Sequence, residues 1–422
     1  MYGEIIAIGD ELVTGRVLNT TSGFAASKLF SAGFQISRIT SIGDDPDIID
    51  HCLHAAIARS DYVIITGGLG PTSDDITNEV VAKSLGRKLV LHKSILEKIR
   101  RLESQWNLDP NPLREKLAWL PDGAKLLNPD GHAAGYLLEH DGTPLFFLPG
   151  IPEQLEDMMV AQVLPRLDKY ITRRLAVRQR TFRIFGKSET EINLLVEKLE
   201  FTRDGLSIGY YPDGPEVNVT VTVKGLDLEE VKYNFDKTCN TVEKLMERSI
   251  VAVDPETLEA VTGRLLLEAG CTLAVAESCT GGLMAHRITS VPGSSQWFDR
   301  GVVTYSNISK EELLGVSHDT LTSYGAVSSQ TAIEMALGVR RVAGTSFGLA
   351  ITGIAGPAGG SREKPVGTVY ISMVTPEKAV CERFMFPGTR HMIQALASET
   401  ALDWLRRYLR YGSYIPGYRP TG

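Results

Sequence analysis

The chain has 422 residues, of which 43% are hydrophobic and 23% are charged. This composition is typical of soluble globular proteins and excludes a wholly disordered chain, and the length predicts about three domains. The formal net charge of −7 disfavours sequence-independent binding of nucleic acid, because such binding needs a basic surface that neutralises the phosphates.

The five cysteines include no CxxC pair. An odd number without paired spacing disfavours a disulfide framework or a zinc site and is typical of the reducing cytosol. The first residues, MYGEIIAIGDE, reach glycine and acids too early for a signal peptide, and no apolar run approaches the ~20 residues that span a bilayer. We therefore expect a cytoplasmic protein with no membrane partner.

The first segment, residues 1–172, alternates strands and helices. This alternation predicts βαβ units around a parallel sheet. The predicted strands are Ile5–Ile8, Gln35–Ile42, Tyr62–Thr66 and Leu145–Leu148, and the predicted helices are Ser22–Ala32, Pro46–Ala58, Ile76–Leu85 and Pro152 to about Val163.

The second segment, residues 173–254, predicts a small α+β domain. It begins with a polar stretch that we interpret as a junction, since it contains Arg173, Arg174, Arg178 and Arg180. No cluster of chemically reactive residues is evident, so we expect this domain to act as a spacer or in dimerisation. The predicted elements are the strands Thr181–Phe185 and Val217–Val223 and the helices Glu189–Leu199 and Leu228–Met246.

The last segment, residues 255–412, returns to alternating helices and strands and is followed by a tail, residues 413–422. It predicts a third domain of the α/β class. The predicted helices are Thr257–Ala269, Thr331–Val342 and about Met392 to Leu409, and the predicted strands are Leu273–Ala276, Gly301–Tyr305, Gly348–Thr352, Thr368–Val374 and Ala379–Phe386.

Two glycine-rich turns follow strands of the first segment: GDELVTG at Gly9–Gly15 and TGGLGPTSDDIT at Thr66–Thr77. We expect both at one edge of the sheet, where their backbone amides can approach a phosphate. Asp74 and Asp75, joined by Glu11 or Asp10, can hold a hydrated divalent ion such as magnesium against that phosphate. The alternative is that the aspartates only cap a helix. The other predicted ligand contacts here are Gly67, Gly68, Gly70 and Thr72.

Three polar or glycine-rich turns follow strands of the last segment. The first, Glu277–Gly282, places Ser278 at a strand end, the usual address for chemistry in open α/β sheets. The second, Thr304–Asn307, precedes Lys310, and the third, Thr352–Gly360, can wrap a phosphate. The predicted ligand contacts are Thr280, Gly281, Gly282, Asn307, Thr352, Gly353 and Gly356, with the amides of Gly281 and Gly282 as candidate oxyanion donors.

A serine hydroxyl is a weak nucleophile at neutral pH and needs a neighbouring base. Lys310 or Tyr305 can fill that role where burial or nearby charge lowers its pKa. Cys279 is a rival nucleophile. The simpler alternative is that Ser278 only caps a helix and that Lys310 is only a solvated charge at a helix start. The residues alone therefore predict a hydrolase or a binder of a small phosphorylated ligand.

The last segment resembles the CinA carboxy-terminal family. The resemblance rests on AESCTGG, SVPGSSQWF, GVVTYSN, GAVSS, TGIAGP and KPVGTVY, which occur in this order between Ala276 and Tyr370. It implies a nicotinamide-nucleotide amidohydrolase that converts nicotinamide mononucleotide and water into nicotinic acid mononucleotide and ammonia. It further implies a nucleophilic Ser278 assisted by Lys310, with Tyr305 close by and without a metal. Arg300 and Ala358 depart from the family pattern, and neither belongs to this proposed pair.

The first segment resembles the molybdopterin-binding fold in its CinA amino-terminal version, through GDEL, GGLGPTSDDIT and LPGIPEQLEDM. The resemblance implies a three-layer α/β/α domain, a homodimer, and in some members a metal-dependent hydrolysis of ADP-ribose to AMP and ribose 5-phosphate. Thr21, Arg114, Leu117 and the GHAAG string at 131–135 depart from the pattern, so another nucleotide or loss of activity is the alternative. Two further alternatives for the whole chain are a non-catalytic nucleotide or pterin binder and an accessory protein of DNA uptake.

Overall fold

A computed structural model describes residues 2–109, 111–128, 135–170, 175–197 and 205–412. The chain divides into two compact units, one formed by residues 1–178 and 224–232 and the other by residues 179–223 and 233–422. Among the described helices, none combines the length and the apolarity that crossing a bilayer requires.

The first unit is built on a six-stranded sheet with the strand order β2-β1-β3-β8-β7-β6. The first four of these strands are parallel, as predicted, while β7 and β6 add an antiparallel edge that the sequence analysis did not anticipate. A separate two-stranded ladder joins β4 and β5. The strands are β1 (Tyr2–Ile8), β2 (Gln35–Ile42), β3 (Tyr62–Thr66), β4 (Leu89–Leu91), β5 (Trp119–Pro121), β6 (Lys125–Leu126), β7 (Tyr136–His140) and β8 (Thr143–Leu148).

Helices cover both faces of this sheet, which gives the expected three layers. Ile5 and Ile64 pack into the core on one face, and their neighbours Ile6 and Ile65 pack into the core on the other, because successive strand residues point to opposite sides. The helices are α1 (Asp10–Val13), α2 (Thr20–Ser31), α3 (Pro46–Arg59), α4 (Thr77–Ser84), α5 (Lys93–Gln105), α6 (Pro112–Glu115), α7 (Pro152–Met158) and α8 (Leu164–Tyr170), with a 3₁₀ turn at Lys116–Ala118 and a π turn at Met159–Val163.

The middle domain is a four-stranded sheet in the order β10-β11-β9-β12 with two helices. Its first strand starts at Ala176, so Arg178 and Arg180 lie within a strand and not in the predicted junction; Arg173 and Arg174 lie outside the described residues. The elements are β9 (Ala176–Phe185), α9 (Glu189–Glu197), β10 (Leu206–Asp213), β11 (Glu216–Gly225), α10 (Leu228–Met246) and β12 (Ile250–Val253).

The carboxy-terminal domain contains a five-stranded sheet in the order β14-β13-β15-β16-β17. The strands β14, β13 and β15 are parallel, so their carboxyl ends meet at one edge of the sheet. The elements are α11 (Leu258–Glu268), β13 (Leu273–Glu277), α12 (Leu283–Thr289), a 3₁₀ turn (Ser294–Gln296), β14 (Phe298–Val303), α13 (Asn307–Leu314), α14 (His318–Tyr324), α15 (Ser329–Ala343), β15 (Phe347–Gly353), β16 (Thr368–Val374), β17 (Ala379–Met385) and α16 (Arg390–Tyr411).

One boundary in this domain matters for the site. The sequence analysis extended the second strand to Tyr305, whereas β14 ends at Val303. Ser306 caps α13 instead: its hydroxyl accepts from the Ser309 amide, and the Ser309 hydroxyl accepts from the Ser306 amide. This reciprocal cap fixes the start of α13 and thereby the position of Lys310, one turn further along the helix.

Candidate active site

The three turns that follow β13, β14 and β15 come together at the edge of the carboxy-terminal sheet. The Ser278 amide donates to the Ile351 carbonyl at 3.0 Å, and the Thr304 amide donates to the Glu277 carbonyl at 2.8 Å. These bonds continue the parallel ladder beyond the strands and hold the ends of neighbouring strands together. The first two turns therefore lie next to each other, and the first also lies beside the end of β15.

Ser278 and Lys310 form a hydrogen-bonded pair within this edge. Lys310 Nζ lies 3.1 Å from Ser278 Oγ and donates to the Thr304 carbonyl at 2.7 Å. Only 1% of Lys310 and 8% of Ser278 is exposed. Burial lowers the pKa of Lys310, because the ammonium form loses its hydration. A neutral amine beside a serine hydroxyl is the arrangement that can remove the serine proton.

Cys279, the rival nucleophile, lies in an unfavourable environment for a thiolate. The side chain is buried, and burial raises the pKa of its thiol to about 12. The protonated thiol is the poor nucleophile of the two forms, so the structure favours Ser278 over Cys279.

Glu277 organises the turn that carries Ser278. Its carboxylate accepts hydrogen bonds from the amides of Gly282, Met284 and Ala285 at 3.1, 3.1 and 2.8 Å. One buried carboxylate thus satisfies the amide of the N-cap residue Gly282 and two amides in the first turn of α12. The sequence analysis included Glu277 in the motif but assigned it no role.

The predicted oxyanion donors are already engaged. The Gly282 amide donates to Glu277, and the Gly281 amide donates to the Ser278 carbonyl at 3.1 Å. Gly281 and Gly282 adopt positive φ angles of 64° and 99°, which favour glycine, so both residues allow the chain to make this turn. Thr280 differs, because its buried hydroxyl has no hydrogen-bond partner in the described part of the chain.

Tyr305 does not act on Ser278 in this structure. Its side chain is 63% exposed, and its hydroxyl accepts a hydrogen bond from Arg390 Nη2 at 2.9 Å. Arg390 Nη1 also donates to the Gly356 carbonyl at 2.8 Å, so the guanidinium joins the second turn to the third. Of the two bases that the sequence left open, the geometry favours Lys310.

The remaining predicted contacts are placed as follows. The Thr352 hydroxyl donates to the Ala326 carbonyl at 2.7 Å, which makes it part of the scaffold. Gly353 packs closely on β16, and Asn307 is exposed at the first position of α13.

Two residues of α16 that contact the site, Arg390 and Gln394, were not predicted from the sequence. Arg390 contacts Tyr305, which is 85 residues away along the chain, and Gln394 Nε2 donates to the carbonyl of Cys279, 115 residues away, at 2.7 Å.

The first unit contains its own cavity of about 550 Å³ at the carboxyl ends of β1 and β3. The two glycine-rich turns line it together, as predicted. Gly67 shows why glycine is needed there: its φ is 98°, and a Cβ would lie 2.0 Å from the Ile8 carbonyl oxygen. The predicted residues that line this cavity are Glu11, Gly67, Gly68, Gly70, Asp74 and Asp75.

The carboxylates of this cavity do not form a ready-made metal site. Within the described ranges, no three Asp, Glu, His or Cys side chains converge closely enough to hold an ion. Asp75 accepts from both the amide and the hydroxyl of Thr72, and the pKa of Asp74 is lowered chiefly by the Thr72 hydroxyl. Thr72 therefore stabilises the loop, and does not line the cavity itself.

Asp44 is a cavity residue that the sequence analysis did not identify. Burial raises the pKa of Asp44, and the negative charges of Asp10, Glu11 and Asp74 raise it further. A hydrogen bond from the Asp10 amide lowers the pKa and so offsets part of this rise. Asp44 follows the end of β2 by two residues and so lies at the same edge of the sheet as the two glycine-rich turns. This position is the sequence signal from which Asp44 could have been predicted as a site residue. Like charges crowded in one cavity are the condition that a bound cation relieves.

The positions that depart from the amino-terminal family pattern divide into two groups. Thr21 and Leu117 line the cavity. Arg114 instead pairs with the buried Glu103 at 2.8 Å, so its departure has a structural partner. Of the GHAAG string, residues 131–134 lie outside the described residues.

Three family models match successive parts of the chain. The descriptions are "Probable molybdopterin binding domain" for residues 4–169, "Damage-inducible protein CinA KH domain" for residues 179–252 and "CinA C-terminal domain" for residues 255–409. A CinA-like protein of Desulfotalea psychrophila is 45% identical over 96% of this chain and 98% of its own length. The chain belongs to the CinA family. A second CinA-like protein, from Geotalea uraniireducens, is 39% identical over 96% of both chains.

One solved structure of a related protein matches part of the chain. The crystal structure of the competence/damage inducible protein CihA from Agrobacterium tumefaciens is 41% identical and covers 35% of this chain and 93% of its own, with a TM-score of 0.34. The CinA assignment confirms the resemblance of both outer domains. The small α+β middle domain is confirmed and is KH-like, which the sequence had not identified.

Proposed function

We propose that the carboxy-terminal CinA domain deamidates nicotinamide mononucleotide. The observation that carries the proposal is the buried 3.1 Å contact between Ser278 Oγ and Lys310 Nζ. A binding protein has no need of a buried lysine whose pKa is lowered beside a serine hydroxyl, because the desolvated amine is costly. A Ser–Lys pair is one of the known arrangements for acyl transfer.

The proposed reaction proceeds in two steps. Ser278 Oγ attacks the carboxamide carbon while Lys310 Nζ takes the hydroxyl proton, and Lys310 then returns this proton to the leaving ammonia. Water next attacks the resulting nicotinoyl ester, with Lys310 again as base, and releases nicotinic acid mononucleotide and the free serine. The Thr280 hydroxyl, which has no partner in the described residues, is a candidate donor to the developing oxyanion.

Arg390 is the candidate partner for the substrate phosphate. It is exposed at the first position of α16, a helix of 22 residues, and it bridges Tyr305 and the Gly356 carbonyl. Both the guanidinium and the helix N-terminus favour an anion. The glycine-rich turn beside it, Thr352–Gly360, is predicted to wrap this phosphate with backbone donors.

The test is ammonia production from nicotinamide mononucleotide by the purified full chain. Ser278→Ala and Lys310→Ala are expected to remove it, and Cys279→Ala, which changes the neighbouring buried residue, is the matched control. Tight nucleotide binding without product over a long incubation would favour a non-catalytic binder instead. Full turnover in both Ser278→Ala and Lys310→Ala would show that the reaction uses another site.

We further propose that the amino-terminal cavity binds a phosphorylated nucleotide and hydrolyses ADP-ribose with a divalent metal ion. The supporting observation is that two glycine-rich turns and the carboxylates of Glu11, Asp44 and Asp74 line one cavity. No three of these carboxylates converge on one point among the described residues, so one or two of them, together with water and the substrate phosphates, would hold the ion, and the ion would neutralise the pyrophosphate charge. AMP formation from ADP-ribose that is abolished by a chelator would support this activity, and tight binding without AMP would contradict it.

A direct role in DNA or RNA binding is not supported by the middle domain. KH modules clamp the nucleic-acid backbone with a G-x-x-G loop, and no two glycines between residues 179 and 252 are three positions apart. Together with the net charge of −7, this favours a small-molecule substrate. Salt-sensitive binding of the full chain to a DNA duplex would contradict this view.

A further inference from the structure

A buried cluster of charges links the middle domain to the carboxy-terminal domain within the second unit. Glu216 is the first residue of β11 and is 7% exposed, while Glu399 lies on α16 and is 1% exposed. Burial raises the pKa of both carboxyl groups, and a side-chain hydrogen bond between them raises that of Glu399 further while it lowers that of Glu216. Neither residue belongs to the proposed Ser278–Lys310 machinery.

Charged groups from α11, α12, β9, β10 and the end of β12 surround this pair. Arg287 on α12 donates to Glu399 Oε2 at 2.6 Å and also to Glu259 on α11. Arg183 on β9 donates to Glu216 Oε2 and to Asp254 Oδ1, both at 3.2 Å, and its guanidinium lies 3.8 Å from Asp213. Further along α16, Asp403 is occupied by Arg406 and Arg407. Two guanidinium groups, Arg183 and Arg287, are thus shared by five carboxyl groups.

The charges do not balance if every carboxyl group is ionised. Glu399 Oε1 is buried and has no hydrogen-bond donor among the described residues. An ionised oxygen in that position is costly, whereas a protonated one loses its charge and donates to Glu216. Burial raises the pKa of Glu399 well above that of a free glutamate; Arg287 offsets part of this, and the charge of Glu216 raises the pKa further.

We propose that Glu399 holds a proton and donates it in a hydrogen bond to Glu216, so that a carboxyl pair joins the middle domain to the helices that frame the candidate active site. The connection to the site follows from the same elements. The helix that carries Glu399 contacts the Cys279 carbonyl through Gln394, and the helix that carries Arg287 begins at the turn held by Glu277. Glu399 is therefore a positioning residue.

The proton is tested directly by infrared spectroscopy of the full chain at neutral pH. The carbonyl stretch of a protonated carboxyl group is expected in the wild type and is expected to disappear in Glu399→Gln. Glutamine keeps both hydrogen bonds, since its amide can donate to Glu216 and its oxygen can accept from Arg287. Glu259→Gln, which changes the other partner of Arg287, is the matched control and should keep the band. A band that persists in Glu399→Gln, or that is absent from the wild type, overturns the proposal.

The pH dependence of unfolding gives a second, independent readout. Because Glu399 binds its proton more tightly in the folded state, the wild type loses stability as pH rises above the ordinary glutamate pKa of about 4.3. One proton changes the unfolding equilibrium by up to about tenfold per pH unit. Glu399→Gln is expected to lack this contribution, and an unchanged slope in the variant contradicts the proposal.

The effect on catalysis rests on the proposed deamidation. Glu399→Ala is expected to lower kcat, and Glu399→Gln is expected to retain it, since only the alanine variant loses the link. If the wild type releases no ammonia, the proposed deamidation is wrong. The infrared and unfolding measurements still show whether Glu399 holds a proton, because they do not depend on that reaction. Equal kcat in Glu399→Ala and the wild type would mean that the pair is structural and does not position the site.

Discussion

The amine of Lys310 donates to the Thr304 carbonyl at 2.7 Å while it stays 3.1 Å from the Ser278 hydroxyl. One hydrogen bond thus holds the amine in place, and the lone pair of the neutral form is left for the serine proton. Burial lowers the pKa of Lys310, so the neutral form is populated at lower pH than for a free lysine.

Turnover of nicotinamide mononucleotide should therefore rise with pH through the lowered pKa of Lys310. Replacing this base in Lys310→Ala should reduce kcat by about 10²–10⁴-fold. Initial ammonia-release rates between pH 6 and the onset of unfolding measure both effects. A rate that is independent of pH throughout this range would argue against a lysine base.

Lys310 should also reduce the stability of the protein. Its folded-state pKa lies below the unfolded value of about 10.4, so the unfolded chain binds more protons and the free energy of unfolding rises with pH between the two values. Lys310→Met should be more stable at neutral pH, by about 1.4 kcal/mol for each unit by which the pKa is lowered. Urea denaturation of the variant and the wild type at several pH values provides the comparison.

Ser278→Ala should lose activity to a much greater extent than Cys279→Ala. Loss of the nucleophile costs on the order of 10⁶-fold in serine hydrolases that have been dissected in this way. Cys279 has a thiol pKa of about 12 and should resist alkylation at neutral pH in the folded protein. If iodoacetamide inactivates the wild type but not Cys279→Ala, the thiol has a role that the structure does not indicate.

Arg390→Ala should raise KM for nicotinamide mononucleotide more than it lowers kcat. The guanidinium lies beside the glycine-rich turn and outside the Ser278–Lys310 pair, so its loss removes an interaction made equally in ground and transition states. Arg390→Lys keeps the charge but not the forked geometry and should give an intermediate KM. Nicotinamide riboside, which lacks the phosphate, should be insensitive to both variants; equal sensitivity of the two substrates would place Arg390 elsewhere in the mechanism.

Glu277→Gln should destabilise the carboxy-terminal domain by about 1–3 kcal/mol. A neutral amide replaces a buried carboxylate that accepts three amide hydrogen bonds at the start of α12. Thermal unfolding of the variant tests this value. Glu268→Gln on α11, where the carboxylate forms an exposed ion pair with Arg264, is a control that should change little.

Much of the architecture followed from local patterns. The strands Gln35–Ile42, Tyr62–Thr66 and Thr368–Val374 and the helix Leu228–Met246 were predicted with the bounds that the structure shows. Glycine, proline or charged residues flank these segments and interrupt the pattern near both ends. The antiparallel β7 and the strand β10 were missed; β10 lies at the edge of its sheet, where the neighbouring strand sets the pairing and the sequence pattern is weak.

The sequence by itself determined the three turns of the candidate active site, because a strand that ends in glycine and hydroxyl residues carries that information locally. Only the tertiary structure decided which groups meet there. Lys310 and Tyr305 were equal candidates until packing buried the first and paired the second with Arg390. Glu216 and Glu399 stand 183 positions apart in the numbering, and their shared environment arises from the packing of two domains. A pKa depends on burial and on neighbours in space, so no local pattern could have assigned these roles.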